Sequence, residues 1–126
     1  MLDTPNEMLP MLYKSWSTET GSQWLPENPA RGQCNVTSLV VQDMFGGEIL
    51  KTEVPGAWHF YNRIGGVRYD LTSSQFSAPI QYMDIESTHE EALSGTGVEQ
   101  YATLKNRINN LRRAYLSENP NRPSKI

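Results

Sequence analysis

One cysteine stands in 126 residues. No disulfide can close within the chain, so its stability must come from a packed core, and a reducing compartment, the cytoplasm, is the expected setting. Apolar residues are also scarce, at 37%. Exposed loops and termini are therefore expected, with three Trp and six Tyr supplying much of the buried area. No sign of charge dominates: the formal net charge is −3, which argues against a nucleic-acid binder that works by neutralising phosphates. No apolar run approaches the length that spans a bilayer, so no membrane partner is expected. The first residues have neither a basic region nor a long apolar run, so no secretory signal is read there. There is no internal repeat, low-complexity tract or cofactor motif. The length suits one domain, expected over 1–119, with a flexible tail over 120–126 that is polar and carries two prolines.

Local signals place the elements. Thr4-Pro5-Asn6-Glu7 is a capping box with proline at the first helical position. Leu9, Leu12, Tyr13 and Trp16 follow at helical spacing, and Pro10 interrupts or kinks that helix. Residues 22–32 hold Pro26, Pro29 and Gly32 without a period and read as an ordered loop. From Cys34 to Phe45 the apolar residues cover more than one face, which predicts a largely buried central helix, stopped by Gly46-Gly47. Strands are predicted over 48–53, 57–64 and 67–71, the last two joined by Gly65-Gly66, with a further edge strand over 81–85. Thr88 caps a short helix closed near Gly95. Thr96-Gly97-Val98-Glu99 opens a long C-terminal helix striped with Val98, Tyr101, Leu104, Ile108, Leu111 and Tyr115. Helices, then strands, then helices make an α+β fold rather than a doubly wound sheet.

The chemistry-bearing residues are Cys34, His59 and Asp70. A helix N-terminus stabilises a thiolate through its partial positive charge and free N–H groups, and Cys34 stands where the central helix begins. If Gly65-Gly66 form a two-residue turn, Ile64 pairs with Val67. His59 and Asp70 then share one face as diagonal neighbours roughly 7–8 Å apart at the backbone. A carboxylate there can hold the imidazole in one tautomer and leave its other nitrogen for a thiol, the nucleophile, base and orienter arrangement of covalent catalysis. A turn of another length would shift the register and spoil it.

At Gly32-Gln33-Cys34-Asn35-Val36-Thr37, at Val40-Val41-Gln42-Asp43-Met44-Phe45-Gly46-Gly47-Glu48-Ile49-Leu50, at His59-Phe60-Tyr61-Asn62-Arg63 and at Asp70-Leu71-Thr72-Ser73-Ser74-Gln75-Phe76, the chain resembles the YunG-like family of small uncharacterised bacterial proteins. The likeness runs from about Trp16 to Leu111 and is most specific from Gly32 to Leu50. The wider pattern is similar to the papain-like superfamily, which includes NlpC-type cell-wall peptidases and transglutaminases. That resemblance implies a papain-like core, with a central helix packed on an antiparallel sheet. It assigns Cys34, His59 and Asp70 the catalytic roles of nucleophile, base and orienter. Papain has a glutamine six residues before its cysteine as an oxyanion donor, and Asn28 stands there in this chain. Gln33 and Gln23 are the alternative donors, together with the backbone N–H of Cys34.

The expected function is cysteine-dependent hydrolysis of, or acyl transfer from, an amide or thioester. The alternative is a non-catalytic binding or inhibitory module of the same fold. Neither reading names a particular substrate or protein partner. Trp24 and Trp58 are candidate walls of a substrate cleft, or else buried aromatic anchors. Asp43, near the end of the central helix, is expected to bond a neighbouring loop or an arginine. His89 is read as a solvated surface residue, and Lys105, Arg107, Arg112 and Arg113 as a solvated helix face flanked by Glu99 and Glu118. No metal is assigned, because a structural zinc wants four ligands at closer paired spacing than Cys34, His59 and Asp70 provide.

Overall fold

The Thr4 capping box opens the computed structural model, which describes residues 4–118. The Glu7 carboxylate accepts the Thr4 backbone N–H at 2.9 Å. A 3₁₀ turn over Pro5–Met8 runs into helix α1, Leu9–Ser15. Pro10 falls in the first turn of α1, where its missing N–H costs nothing, so the expected kink becomes a change of helix type upstream of it. The expected tail over 120–126 lies outside the described residues.

Helix α2 spans Cys34–Phe45, the range its apolar pattern predicts. It is buried on two sides. Val36, Val40 and Val41 pack with Met8, Leu12, Trp16, Leu104 and Ile108. Leu39 points to a second cluster with Ile49, Phe60 and Ala92. Side chains from outside bond into the middle of the helix: Trp16 Nε1 donates to Thr37 Oγ1 at 2.9 Å, and Asn62 Nδ2 donates to the Ser38 carbonyl at 3.0 Å.

The sheet is antiparallel and ordered β3-β2-β1-β4, with β1 Glu48–Val54, β2 Ala57–Ile64, β3 Val67–Tyr69 and β4 Ile85–Ser87. The Gly65-Gly66 turn sets the expected register, with Ile64 opposite Val67, Arg63 opposite Arg68 and Asn62 opposite Tyr69. Three boundaries differ from expectation, the first by one residue, since β1 continues to Val54. Strand β3 stops at Tyr69, because Asp70 turns its carboxylate back to accept the Thr72 N–H at 3.2 Å. The edge strand lies at Ile85–Ser87 instead of 81–85. In the earlier stretch Thr52 Oγ1 bonds the Gln81 carbonyl and the Met83 N–H, holding the chain by a side chain in place of a ladder.

Helix α3 is His89–Ser94, capped by Thr88, whose Oγ1 accepts the Glu91 N–H at 3.0 Å, and α4 is Val98–Glu118. Of the α4 stripe, Leu104 and Ile108 are fully buried while Val98 is 67% exposed, since it stands at the first position of the helix, beyond the layer it covers. Asp43 bonds α4 rather than a loop or an arginine: it accepts the Tyr101 hydroxyl and pairs with Lys105 Nζ at 3.1 Å. His89 is half-buried, edge-on to Tyr101 at 5.7 Å, and so only partly solvated. Arg107 leaves the solvated face as well. It reaches the Ser15 carbonyl, Ser17 Oγ and, at 2.6 Å, Glu19.

Candidate active site

Strand β2 alternates its side chains. Phe60 and Asn62 meet α2, and His59 and Tyr61 point to the segment 76–84. His59 is 1% exposed. Its Nε2 lies 2.7 Å from Asp70 Oδ2, the pair that the hairpin register predicts. Phe76 stands edge-on to the imidazole at 4.8 Å, and Tyr61 stacks beside it at 6.0 Å.

Asp70 is itself held from three further directions. Tyr82 donates its hydroxyl to the same Oδ2 at 2.7 Å, and Thr72 gives both its N–H and its hydroxyl to Oδ1, at 3.2 and 3.3 Å. A carboxylate saturated in this way stays in one orientation, and so does the ring that it grips. Burial and the neighbouring carboxylate together push the Tyr82 hydroxyl well above its ordinary pKa, so it remains a donor. Tyr82 is in turn covered by the Arg68 guanidinium, 4.5 Å from its ring, and Arg68 forms two bonds to Asp84. Asp84 adopts φ +52° and also accepts the Tyr61 hydroxyl at 2.8 Å. Neither Tyr82 nor Thr72 was among the sequence candidates. Thr72 stands two residues after Asp70, a spacing at which an Asx-type turn is a readable signal. Tyr82 has no local signal at all.

With Nε2 committed to Asp70, Nδ1 is the free ring nitrogen. Burial opposes a charge on this ring, but hydrogen bonding and charge from Asp70 and from Cys34 outweigh it. The imidazole is raised from its ordinary 6.5 to about 9. Cys34 is thus the second side chain that acts on His59. It is half-buried at the first position of α2, and its Sγ also lies 3.4 Å from Asn35 Oδ1. Asn35 is anchored by its Nδ2 to the Ala92 carbonyl at 2.8 Å. The structure therefore brings Cys34, His59 and Asp70 together.

Cys34 and His59 both line an open cleft of about 510 Å³, whose walls also include Gln23, Asn28, Trp58 and Phe76. Trp58 is 43% exposed there. Trp24 does not reach the cleft; it is half-buried against the α1–α2–α4 core, the anchor role. The two donor candidates separate as well. Gln23 lines the cleft, whereas Gln33 is wholly buried beneath it, its Oε1 accepting the Thr20 hydroxyl at 2.7 Å and its Nε2 directed to the Ser17 carbonyl. Gln33 holds the loop before α2 and, fully buried, does not line the cleft. Asn28 also faces the cleft, with one amide bond to the Gln75 carbonyl at 3.2 Å. Among the described residues no three His, Cys, Asp or Glu side chains are grouped so as to hold a metal ion. Nor is any helix there long and apolar enough to cross a membrane.

These features define an α+β protein with a four-stranded antiparallel sheet, a buried central helix and a polar cleft at that helix's start. The YunG protein family matches residues 4–113, and the chain belongs to that family. The Bacillus subtilis (strain 168) protein named "Uncharacterized protein YunG" is 55% identical over 95 residues, 75% of this chain and 83% of its own length. No solved structure matches the chain.

Proposed function

We propose that the cleft is a cysteine-dependent acyl site, papain-like in arrangement, that hydrolyses an amide or thioester or transfers its acyl group. The observation that carries this reading is the clamped imidazole. His59 is buried, gripped by Asp70 through Nε2 and acted on by Cys34, at the edge of an open cleft.

His59 takes the thiol proton of Cys34, and the thiolate attacks the acyl carbon. A carbon–sulfur bond forms and the carbonyl electrons move to oxygen. Collapse of this oxyanion breaks the bond to the amine or thiol leaving group, which takes the proton from the imidazolium. Water or an acceptor amine, deprotonated by His59, then cleaves the thioester and returns the thiol. The backbone N–H of Cys34 at the start of α2 and the Gln23 side chain are the oxyanion donors in this reading. A reducing compartment such as the cytoplasm keeps the single thiol free.

The test is iodoacetamide alkylation of Cys34 as a function of pH, for the parent, His59→Ala and Asp70→Asn, with circular dichroism to check folding. The parent should react rapidly well below pH 8.5, the region in which a free thiol ionises. His59→Ala should lose that low-pH reactivity. Asp70→Asn should lose part of it, because an amide still bonds the ring but supplies no charge to the imidazolium. Three coincident curves near the free-thiol midpoint would falsify the triad and leave a non-catalytic binding module.

A further inference from the structure

The cleft has one feature that the acyl chemistry does not require: its charge. None of its lining side chains is Asp or Glu. Its neutral walls are dominated by carboxamides, from Gln23, Asn28, Asn35, Gln75 and Gln100. Its one permanently charged side chain is Arg31, three residues before the nucleophile. Three other arginines are spent on carboxylates, Arg63 on Glu48 at 2.7 Å, Arg68 on Asp84 at 2.5 Å and Arg107 on Glu19 at 2.6 Å, and Arg113 bonds the Asn110 side chain at 3.0 Å. The exposed guanidinium of Arg31 has no hydrogen bond or ion pair among the described residues. Glu53, which pairs with Trp58 across the strands, lines the neighbouring pocket beyond Val54 and Pro55.

A planar guanidinium with its donors unspent, beside amides that bond neutral groups, is a fit for a carboxylate on an otherwise uncharged ligand. We infer that the cleft selects an anionic acyl donor, with Arg31 binding a carboxylate close to the carbonyl that Cys34 attacks. The inference rests on the acyl reading for the word donor, but the charge selection is a property of the cleft and is measured separately. A cationic donor would meet Arg31 with no acid in the cleft to offset it.

The experiment compares two alkylating agents of nearly equal size, iodoacetate and iodoacetamide, on folded protein at low ionic strength, with Cys34 modification followed by peptide mass spectrometry. The rate ratio is read at about pH 10, where an ordinary thiol is ionised, His59 is largely neutral and arginine is still charged. N-acetylcysteine amide, whose thiol has no charged neighbour, gives the reference ratio. The parent should favour iodoacetate over that reference by about threefold. Arg31→Gln should bring the ratio back to the reference, and Lys14→Gln, which removes a cation from exposed α1, should leave it at the parent's value. A parent ratio equal to the reference, an Arg31→Gln ratio equal to the parent's, or an equal fall in Lys14→Gln would overturn the inference. The two readings fail separately. A thiol unactivated near neutral pH that still prefers iodoacetate at high pH removes the chemistry and leaves the anion-selective cleft. An activated thiol with the reference ratio does the reverse.

Discussion

At the scale of single residues, Tyr82 is the group on which the orientation of the site most depends, after the three residues themselves. It shares Asp70 Oδ2 with His59. Removing the hydroxyl leaves a buried carboxylate oxygen with one donor fewer, and a hydrogen bond to a charged group is worth about 1.5–3 kcal/mol. Tyr82→Phe should lower unfolding free energy in urea by that amount and also slow alkylation of Cys34 near neutral pH. A purely structural tyrosine would move the first measurement and leave the second alone. None of this is visible from position 82, which reads from the sequence only as part of an edge strand. The His59–Asp70 pair, by contrast, is legible because a two-residue glycine turn leaves only one register.

The elements depend on how α2 is seated. Leu39 is fully buried between the sheet and α3. Leu39→Ala should cost about 2–5 kcal/mol in chemical denaturation. A loss under about 0.5 kcal/mol, a surface-like value, would mean that α2 is not packed on the sheet. The connection from α2 into β1 gives a sharper contrast. Gly46 and Gly47 both have positive φ, +74° and +77°. A Cβ on Gly46 meets nothing within 4 Å, but one on Gly47 would lie 2.4 Å from the Arg63 carbonyl oxygen in the neighbouring strand. Gly46, at φ +74° and ψ −150°, is in a region that is essentially glycine's alone, so Gly46→Ala should cost backbone strain of about 1–3 kcal/mol without a clash. Gly47→Ala should cost clearly more, because backbone must move. Equal melting temperatures for the two variants would contradict the packing of β2 against this turn.

For the whole molecule, the raised imidazole ties stability to pH. The folded state holds the His59 proton to about pH 9, whereas an unfolded histidine releases it near 6.5. The native state thus binds more protons through this window. The His59 contribution is complete below about pH 6.5 and declines as pH rises toward 9, by roughly 3 kcal/mol in all. Urea midpoints measured across that range should fall with rising pH in the parent, and the slope should flatten in His59→Ala. A parent whose midpoint rises over the same window would show that the ring is buried neutral.

Sequence by itself determined the parts of this protein that are settled between near neighbours along the chain. Thr4 and Thr88 start helical segments, the double-sided apolar pattern from Cys34 to Phe45 makes α2 a buried helix, and Gly65-Gly66 sets the β2–β3 register and with it the His59–Asp70 pair. Capping, periodicity and turn geometry act over a few residues, so composition and spacing carry them. Tertiary structure alone decided the rest. It turned Gln33 inward onto Thr20 and Gln23 toward the cleft, though both are glutamines in or beside one irregular loop. It sent Trp24 into the core and left Trp58 at the cleft wall. It also brought Tyr82 under Asp70 and kept Arg31 unpaired while Arg63, Arg68 and Arg107 found carboxylates. Each of these outcomes depends on which distant segment arrives beside a side chain. That is decided by the packing of α1, α2, α4 and the sheet as a whole, since a local pattern is the same whichever way the loop closes over it.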